Sequence, residues 1–468
     1  MADGEGKTVN NGKKVHILVV TYPAQGHINP LLQFSKRLHH KGAAVTFVIT
    51  KYLYNNSPAA DNPPPFPVET FSDDHDDGGF LSSVSVPDYH ERLERVGSES
   101  LRDLIRRLEG GGRRIDAVMY DGFMPWVLEV AKEWGLKTVI YFTQMCGVNN
   151  IYFHIYKGEI KLLLGGEEEI RMGGMPAMRA EEMPSFVKDV KSCPGFLATV
   201  VNQFRNIEEA DFLLCNSFYE QEQQVLEWME KKWRMKTVGP NIPSMYADRQ
   251  IQDDREYGFN FFKPNDEACR KWLNDRQKKS VVFVAFGSFS TLSAEQMEEL
   301  AWGLAQTNCF FLWVVRDPKV ANVPTKFVEA TKEKGLIVPW CLQLEVLSHE
   351  SIGCFVTHSG WNSTLEALTI GVPMVAMPQW TDQTVNAKFV RDVWKTGIRA
   401  FPDHTGIVRR MTIADCILKI MDDNVEGKEI RENAAKWGAL ARRAVDQGGS
   451  SDQNINEVLV QLASGLNI

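Results

Sequence analysis

At 468 residues the chain is longer than one hydrophobic core accommodates, which implies two domains of ordinary size. Hydrophobic content of 44% and charged content of 24% are those of a soluble globular protein, and a net charge of −8 argues against a nucleic-acid partner, which would need a basic face. No apolar run approaches the roughly 18 residues of a membrane span, the polar start MADGEGKTVNNGKK lacks an export-signal core, and eight scattered cysteines without a C-x-x-C pair fit free thiols in a reducing cytoplasm.

Val15–Val20 is a continuous apolar run, as expected of a strand covered on both faces. A loop from Thr21 to His27 follows, then Asn29 as a helix cap with Pro30 at the first helical position and apolar spacing through Leu38. Ala44–Thr50 reads as the next strand, with others near 117–120, 138–142 and 211–216. Residues 58–67, 73–79 and 110–114 lack apolar periodicity and read as surface loops. The polar, proline-bearing stretch 241–265 reads as an interdomain linker. A second alternating series begins at 280–286 and continues at 309–315, 335–338, 354–357 and 372–377. The predicted fold class is α/β, two Rossmann-like, doubly wound parallel-sheet domains.

The segment Trp340–Gln383 carries the densest chemistry. Cys354–Thr357 reads as a buried strand, His358–Ser363 as a turn, and Ser363 with Glu366 as a capping box opening a helix. Strand, glycine turn and helix N-terminus make an anion site, to which His358, Asn362 and Ser363 add donor side chains suited to a diphosphate. Trp340 offers a flat face for a base. Each residue alone fits an ordinary crossover, and a capping Glu366 would already have a partner; in this order, accident is far less plausible.

These 44 residues resemble the signature box of the plant secondary-product glycosyltransferases, the family 1 UDP-sugar-dependent enzymes, and the resemblance extends over the whole chain. It implies a GT-B arrangement: an acceptor domain over 1–240, the linker over 241–265, a UDP-sugar domain over 266–451, and a last helix (about 452–468) crossing back onto the first domain. It further implies that Trp340 stacks on uracil, the Cys341 backbone meets the base edge, Gln343 and Glu366 bind ribose, and His358, Gly360, Asn362 and Ser363 bind the diphosphate with Ser288. Trp361, Asp382 and Gln383 would hold the sugar, and the terminal Gln resembles glucose-preferring members. Two departures stand out: Ser359 replaces the usual Cys, and Leu342 a commoner Pro or Ser, which leaves the turn after Trp340 open.

His27 lies just after the first strand, at the carboxyl end where α/β ligands bind, and Asp121 ends another strand of that half. By the resemblance His27 is the base and Asp121 its orienting carboxylate, the logic of a catalytic triad. The reaction implied is direct inverting transfer of glucose from UDP-glucose to a small hydrophobic acceptor, without metal or other cofactor, by a monomer. Asp74-His-Asp76 formally spaces two carboxylates as a metal motif would, but within the acidic run 73–77 a solvated loop is the better reading. Tyr22, Tyr89, Phe123, Met145 and Asn149 are candidate acceptor contacts, with Phe71 and Phe80 from the loops. Steroid, triterpenoid and phenolic acceptors all remain open. A nicotinamide oxidoreductase would need G-x-G-x-x-G, and the first loop has only Gly26; a sugar-nucleotide epimerase would need no apolar pocket, and a non-catalytic binder no His27 with Asp121.

Overall fold

A computed structural model describes residues 14–57, 63–160, 169–259, 265–287, 292–316 and 323–464. The first half forms a seven-stranded parallel sheet from β1 (His16–Val20), β2 (Ala44–Thr50), β3 (Val68–Phe71), β4 (Ala117–Asp121), β5 (Lys137–Phe142), β6 (Phe212–Cys215) and β7 (Met235–Thr237), in the order β3-β2-β1-β4-β5-β6-β7. The second half forms a six-stranded parallel sheet from β8 (Val281–Ala285), β9 (Phe310–Val314), β10 (Gly335–Val338), β11 (Ile352–Thr357), β12 (Met374–Ala376) and β13 (Gly397–Arg399), in the order β10-β9-β8-β11-β12-β13. Each sheet builds outward in one direction and then returns to its first strand, so the order reverses between β1 and β4 and between β8 and β11. Helices cover both faces, which is why β4, β8 and β11 are buried along their whole length. The helix Ser450–Ser464 packs Ile455, Val458 and Leu462 into the same apolar cluster as Val15, Phe34 and Phe47 of the first half. Lys41 pairs with Asp452, and Asn454 donates to the Thr237 carbonyl at 2.8 Å.

Several elements differ from expectation. The first helix spans Gln25–His40, so Asn29 is not its cap and Pro30 lies inside it. Pro30 has no N–H to give the Gly26 carbonyl four residues back, and that carbonyl instead accepts from Asn362 of the second half at 2.8 Å. The helix opened by the signature turn begins at Trp361 behind Gly360, not at Ser363, and no capping box forms there. The short strands β3, β7 and β13 were not expected. Phe71 belongs to β3, fully buried in the core, and does not line the cleft between the two sheets. The acidic loop is solvated, as Asp74 and Asp77 are exposed, but it is also fastened: Asp73 is buried and accepts from Tyr89 Oη at 2.7 Å, Asp74 pairs with Arg92, and Asp76 with Lys51.

The stretch 241–259 is likewise a strap held to the helix Gln25–His40. Buried Asp254 accepts from Gln33 Nε2 at 2.5 Å, Lys36 Nζ at 2.8 Å and the Ser244 N–H at 2.7 Å, and Arg37 pairs with Asp248. Removing one partner of a buried pair strands the other, which costs about 3–5 kcal/mol. Asp254→Ala is therefore expected to destabilise the protein by that order, seen as a lowered thermal midpoint. Asp254→Asn, which keeps an acceptor oxygen, should lose less.

Candidate active site

Ligands of open α/β sheets bind beyond the carboxyl ends of the strands where the order reverses. Here both reversal points open onto one cleft of about 370 Å³, lined from both halves. Tyr22–His27 follows β1 and Asp121 ends β4, the strand beside it; Gly287 follows β8 and His358–Asn362 follows β11.

His27 Nδ1 lies 2.7 Å from Asp121 Oδ2 and 3.1 Å from Thr143 Oγ1. Asp121 is 1% exposed against 16% for His27, and its second oxygen accepts the Phe123 N–H at 2.9 Å. The carboxylate fixes the proton on Nδ1 and leaves Nε2 as the ring's proton acceptor. Tyr22 and Phe123 flank the imidazole with ring centres 5.0 and 4.7 Å away. Thr143 was not among the candidates, although it follows β5, beside β4, and strand-end reasoning reaches it.

On the opposite wall the cleft is lined by Trp340, Cys341, Gln343, His358, Gly360, Trp361, Asn362, Ser363 and Glu366. Ser288 lies outside the described residues. Gly287 and Gly360 both close on His358: a Cβ on either would meet its Nε2 at 2.7 or 2.6 Å. Desolvation lowers the His358 pKa to about 4, so this imidazole is neutral and offers hydrogen bonds without charge. The turn after Trp340 is pinned, since the Leu342 N–H donates to Asp266 at 3.1 Å. Trp361 gives its indole N–H to the Asn216 carbonyl at 2.7 Å, leaving ring surface alone for a ligand.

Glu366, free of any capping duty, accepts from Gln343 Nε2 at 2.7 Å and from Tyr257 Oη at 2.8 Å; Gln343 also reaches Ser363 Oγ at 3.0 Å. Tyr257, in the strap, was missed because nothing in a loop sequence tells which carboxylate a phenol will meet. Asp382 and Gln383 also line the cleft. Asp382 Oδ2 accepts from Asn386 at 2.8 Å, and Gln383 Oε1 from the N–H groups of Gln379 and Trp380 at 2.8 and 3.1 Å. Among the described residues, no group of three or more His, Cys, Asp or Glu is placed to hold a metal ion, and no helix is long and apolar enough to cross a membrane.

The remaining wall is apolar. Tyr22 and Phe123 line it as expected, with Phe80 from the loop after β3. Tyr89, Met145 and Asn149 do not. Tyr89 is buried and turned to Asp73, Met145 is fully buried in the core, and Asn149 is buried against Gln144 and Cys215. Their places are taken by Phe186, Phe196, Val200 and Trp380. Phe196 and Val200 are four apart on the helix Pro194–Asn202, a spacing that marks a shared face but not what it faces.

Burial is the main cause that raises Glu366 from 4.5 to about 7 and Asp382 from 3.8 to about 6. Between pH 4.5 and 7 folded Glu366 binds more proton than unfolded Glu366. Its contribution to stability is therefore full below about 4.5 and is lost as pH rises towards 7. The thermal midpoint of the wild type is expected to fall relative to Glu366→Gln between about pH 5 and 7.5; a gap that stays constant would show the carboxyl already ionised throughout.

The family model described as UDP-glucoronosyl and UDP-glucosyl transferase matches residues 251–441. A mogroside I-E synthase of Siraitia grosvenorii is 42% identical over 451 residues, 96% of this chain and 98% of that one. A flavonol 7-O-beta-glucosyltransferase of Arabidopsis thaliana is 42% identical over 450 residues, with 96% and 98% covered. The crystal structure of Os79 from O. sativa with UDP matches at a TM-score of 0.87 and 35% identity over 95% of this chain and 100% of that one, and Os79 has also been seen with U2F and trichothecene. Full-length relatives and a shared two-sheet architecture agree with the motif: this chain belongs to the plant family 1 UDP-dependent glycosyltransferases and is a UDP-glycosyltransferase.

Proposed function

We propose that the protein transfers glucose from UDP-glucose to a hydroxyl of a bulky, largely apolar acceptor, with inversion, giving a β-glucoside. The observation that carries this reading is the His27–Asp121 pair in the same cleft as Trp340, His358 and Glu366, one residue from the Gly26–Asn362 bond between the halves.

His27 Nε2 takes the proton of the acceptor hydroxyl as its oxygen attacks the anomeric carbon. Asp121 stabilises the imidazolium that forms and keeps it oriented. The bond from the anomeric carbon to the diphosphate oxygen breaks, and its electron pair leaves with UDP. Neutral His358, Asn362, Ser363 and the free N–H groups opening the ten-residue helix Trp361–Ile370 receive that charge. A dipole contact is worth only about 0.3–1 kcal/mol, so directed hydrogen bonds do most of this work. Trp340 stacks on uracil, Gln343 and Glu366 take the ribose hydroxyls, and Asp382 with Gln383 holds the sugar, the Gln favouring glucose. No metal takes part. The wall of Phe80, Phe123, Phe186, Phe196 and Trp380 supports a ring-bearing acceptor, as do the flavonol in one relative's name and the trichothecene bound by Os79.

His27→Ala should lower transfer about 10²–10⁴-fold, the usual worth of a general base, with UDP affinity unchanged. Asp121→Asn should lose a comparable factor through the wrong tautomer. Full turnover by His27→Ala with an unactivated alcohol would remove His27 from this role. An acceptor panel read by mass spectrometry, with the anomeric coupling of the product by NMR, tests acceptor class and β outcome. Activity is expected to survive EDTA; loss restored by Mn²⁺ or Mg²⁺ would overturn the metal-free route.

A further inference from the structure

The loop that follows β12 of the second sheet ends at Asp382, where Gln383 opens the helix Gln383–Lys388, and residues of the first half hold both loop and helix. Ser185 and Thr381 exchange hydrogen bonds both ways. The Ser185 N–H donates to the Thr381 carbonyl at 2.9 Å, and the Thr381 N–H to Ser185 Oγ at 2.7 Å. Thr384 Oγ1 donates to the Met183 carbonyl at 2.7 Å. Next to these, buried Glu182 pairs with Lys388 at 2.8 Å and Arg391 at 3.1 Å, and its Oε2 also accepts the Arg179 N–H at 3.0 Å. The neighbour of Ser185, Phe186, meets Trp380 edge-on at 5.7 Å and stacks on Phe196 at 5.9 Å. One strip, 182–186, thus forms part of the apolar wall and grips the loop at the sugar end.

The uridine end is held differently, by Gln343, Ser363 and Glu366 of the second half with Tyr257 of the strap. The sugar loop also keeps its own shape without the strip, through Gln383 on the Gln379 and Trp380 amides and Asn386 on Asp382. What the strip supplies, beside the Asn386 bond to the Ser359 carbonyl, is a hold on that loop from the half that carries His27.

We propose that Ser185 and Glu182 are positioning residues, a clasp from the acceptor-side half that sets where the sugar sits over His27 and how strictly one sugar is preferred to another. The proposal rests on the reading that Asp382 and Gln383 hold the sugar. A misplacement of about 1 Å in a reacting group can cost on the order of a hundredfold in rate, so loosening the clasp should act on turnover and not on UDP binding.

The test compares Ser185→Ala, Ser185→Thr, Glu182→Gln and Asp382→Ala with the wild type. Each is measured for UDP affinity by calorimetry, for kcat and KM with UDP-glucose, for transfer from UDP-galactose, and for thermal midpoint. Ser185→Ala should bind UDP within about twofold of wild type, turn over about tenfold or more slowly, and discriminate less between glucose and galactose. Ser185→Thr, which keeps the hydroxyl, should restore both, and Glu182→Gln should follow Ser185→Ala. Unchanged kcat and sugar preference in Ser185→Ala, with both reduced in Asp382→Ala, would reduce the clasp to packing and overturn the proposal. Unchanged behaviour in Asp382→Ala would instead sink the sugar-loop reading, and the clasp with it. Ser185→Ala removes one hydroxyl, so it decides the matter even if Glu182→Gln fails to fold.

Discussion

A hydrogen bond that a helix cannot make for itself is made between the two halves of this protein. Pro30 leaves the Gly26 carbonyl without its helical partner, and Asn362 of the signature turn supplies one at 2.8 Å. The bond joins the residue before His27 to the turn proposed to bind the leaving diphosphate, so it sets the separation between the proposed base and that turn. Other bonds guard the same relation from further out. Trp361 donates to the Asn216 carbonyl, Trp394 to the Gln221 carbonyl and Ser450 to Glu220, while the strap fastens to Lys36 and Arg37 on the helix of His27. A cleft between two sheets is only as exact as the contacts that orient them, and these are short, polar and mostly buried.

The electrostatics of the cleft follow from the burial of its titratable groups. Burial keeps Glu366 and Asp382 protonated to about pH 7 and 6 and keeps His358 neutral. Ionised carboxylates in a cleft that takes up a diphosphate would repel it, whereas neutral ones do not. Ligand hydroxyls that donate to Glu366 or Asp382 favour the ionised form. Arrival of the sugar nucleotide would then exchange solvation that the folded chain cannot supply for hydrogen bonds that the ligand brings.

Where the sequence was legible, the reason is periodicity. The apolar runs at 15–20 and 44–50 coincide with β1 and β2 to within a residue because parallel strands covered on both faces are largely apolar, and the run 335–338 coincides with β10, a half-buried edge strand. β3, β7 and β13 are four or three residues long and carry Glu69, Lys236 or Arg399, too little pattern to register. Both misplaced helix starts involved cap-like residues, Asn29 and Ser363, in helices that begin without a side-chain cap. Strand-end position was enough to pair His27 with Asp121. It was not enough for Tyr89, Met145 and Asn149, because an aromatic or amide near a cleft can satisfy itself inward, as Tyr89 does on Asp73.

The contrast between the two ends of the cleft has a structural cause. The end proposed to hold the nucleotide is built on β10, β11 and the helix after it, so its residues fall within one short stretch of sequence, in an order fixed by that unit. The apolar end takes Phe80, Phe123, Phe186, Phe196 and Trp380 from separate loops and helices that converge only in the folded chain. A substitution in one of those segments can reshape the acceptor wall without touching a sheet. Segment 182–186 belongs to both ends at once, since Phe186 faces the wall while Ser185 grips the loop before Asp382 and Glu182 the helical segment after it. Changes there that refit the wall to another acceptor therefore also bear on where the sugar loop lies, and the two specificities of such an enzyme need not vary independently.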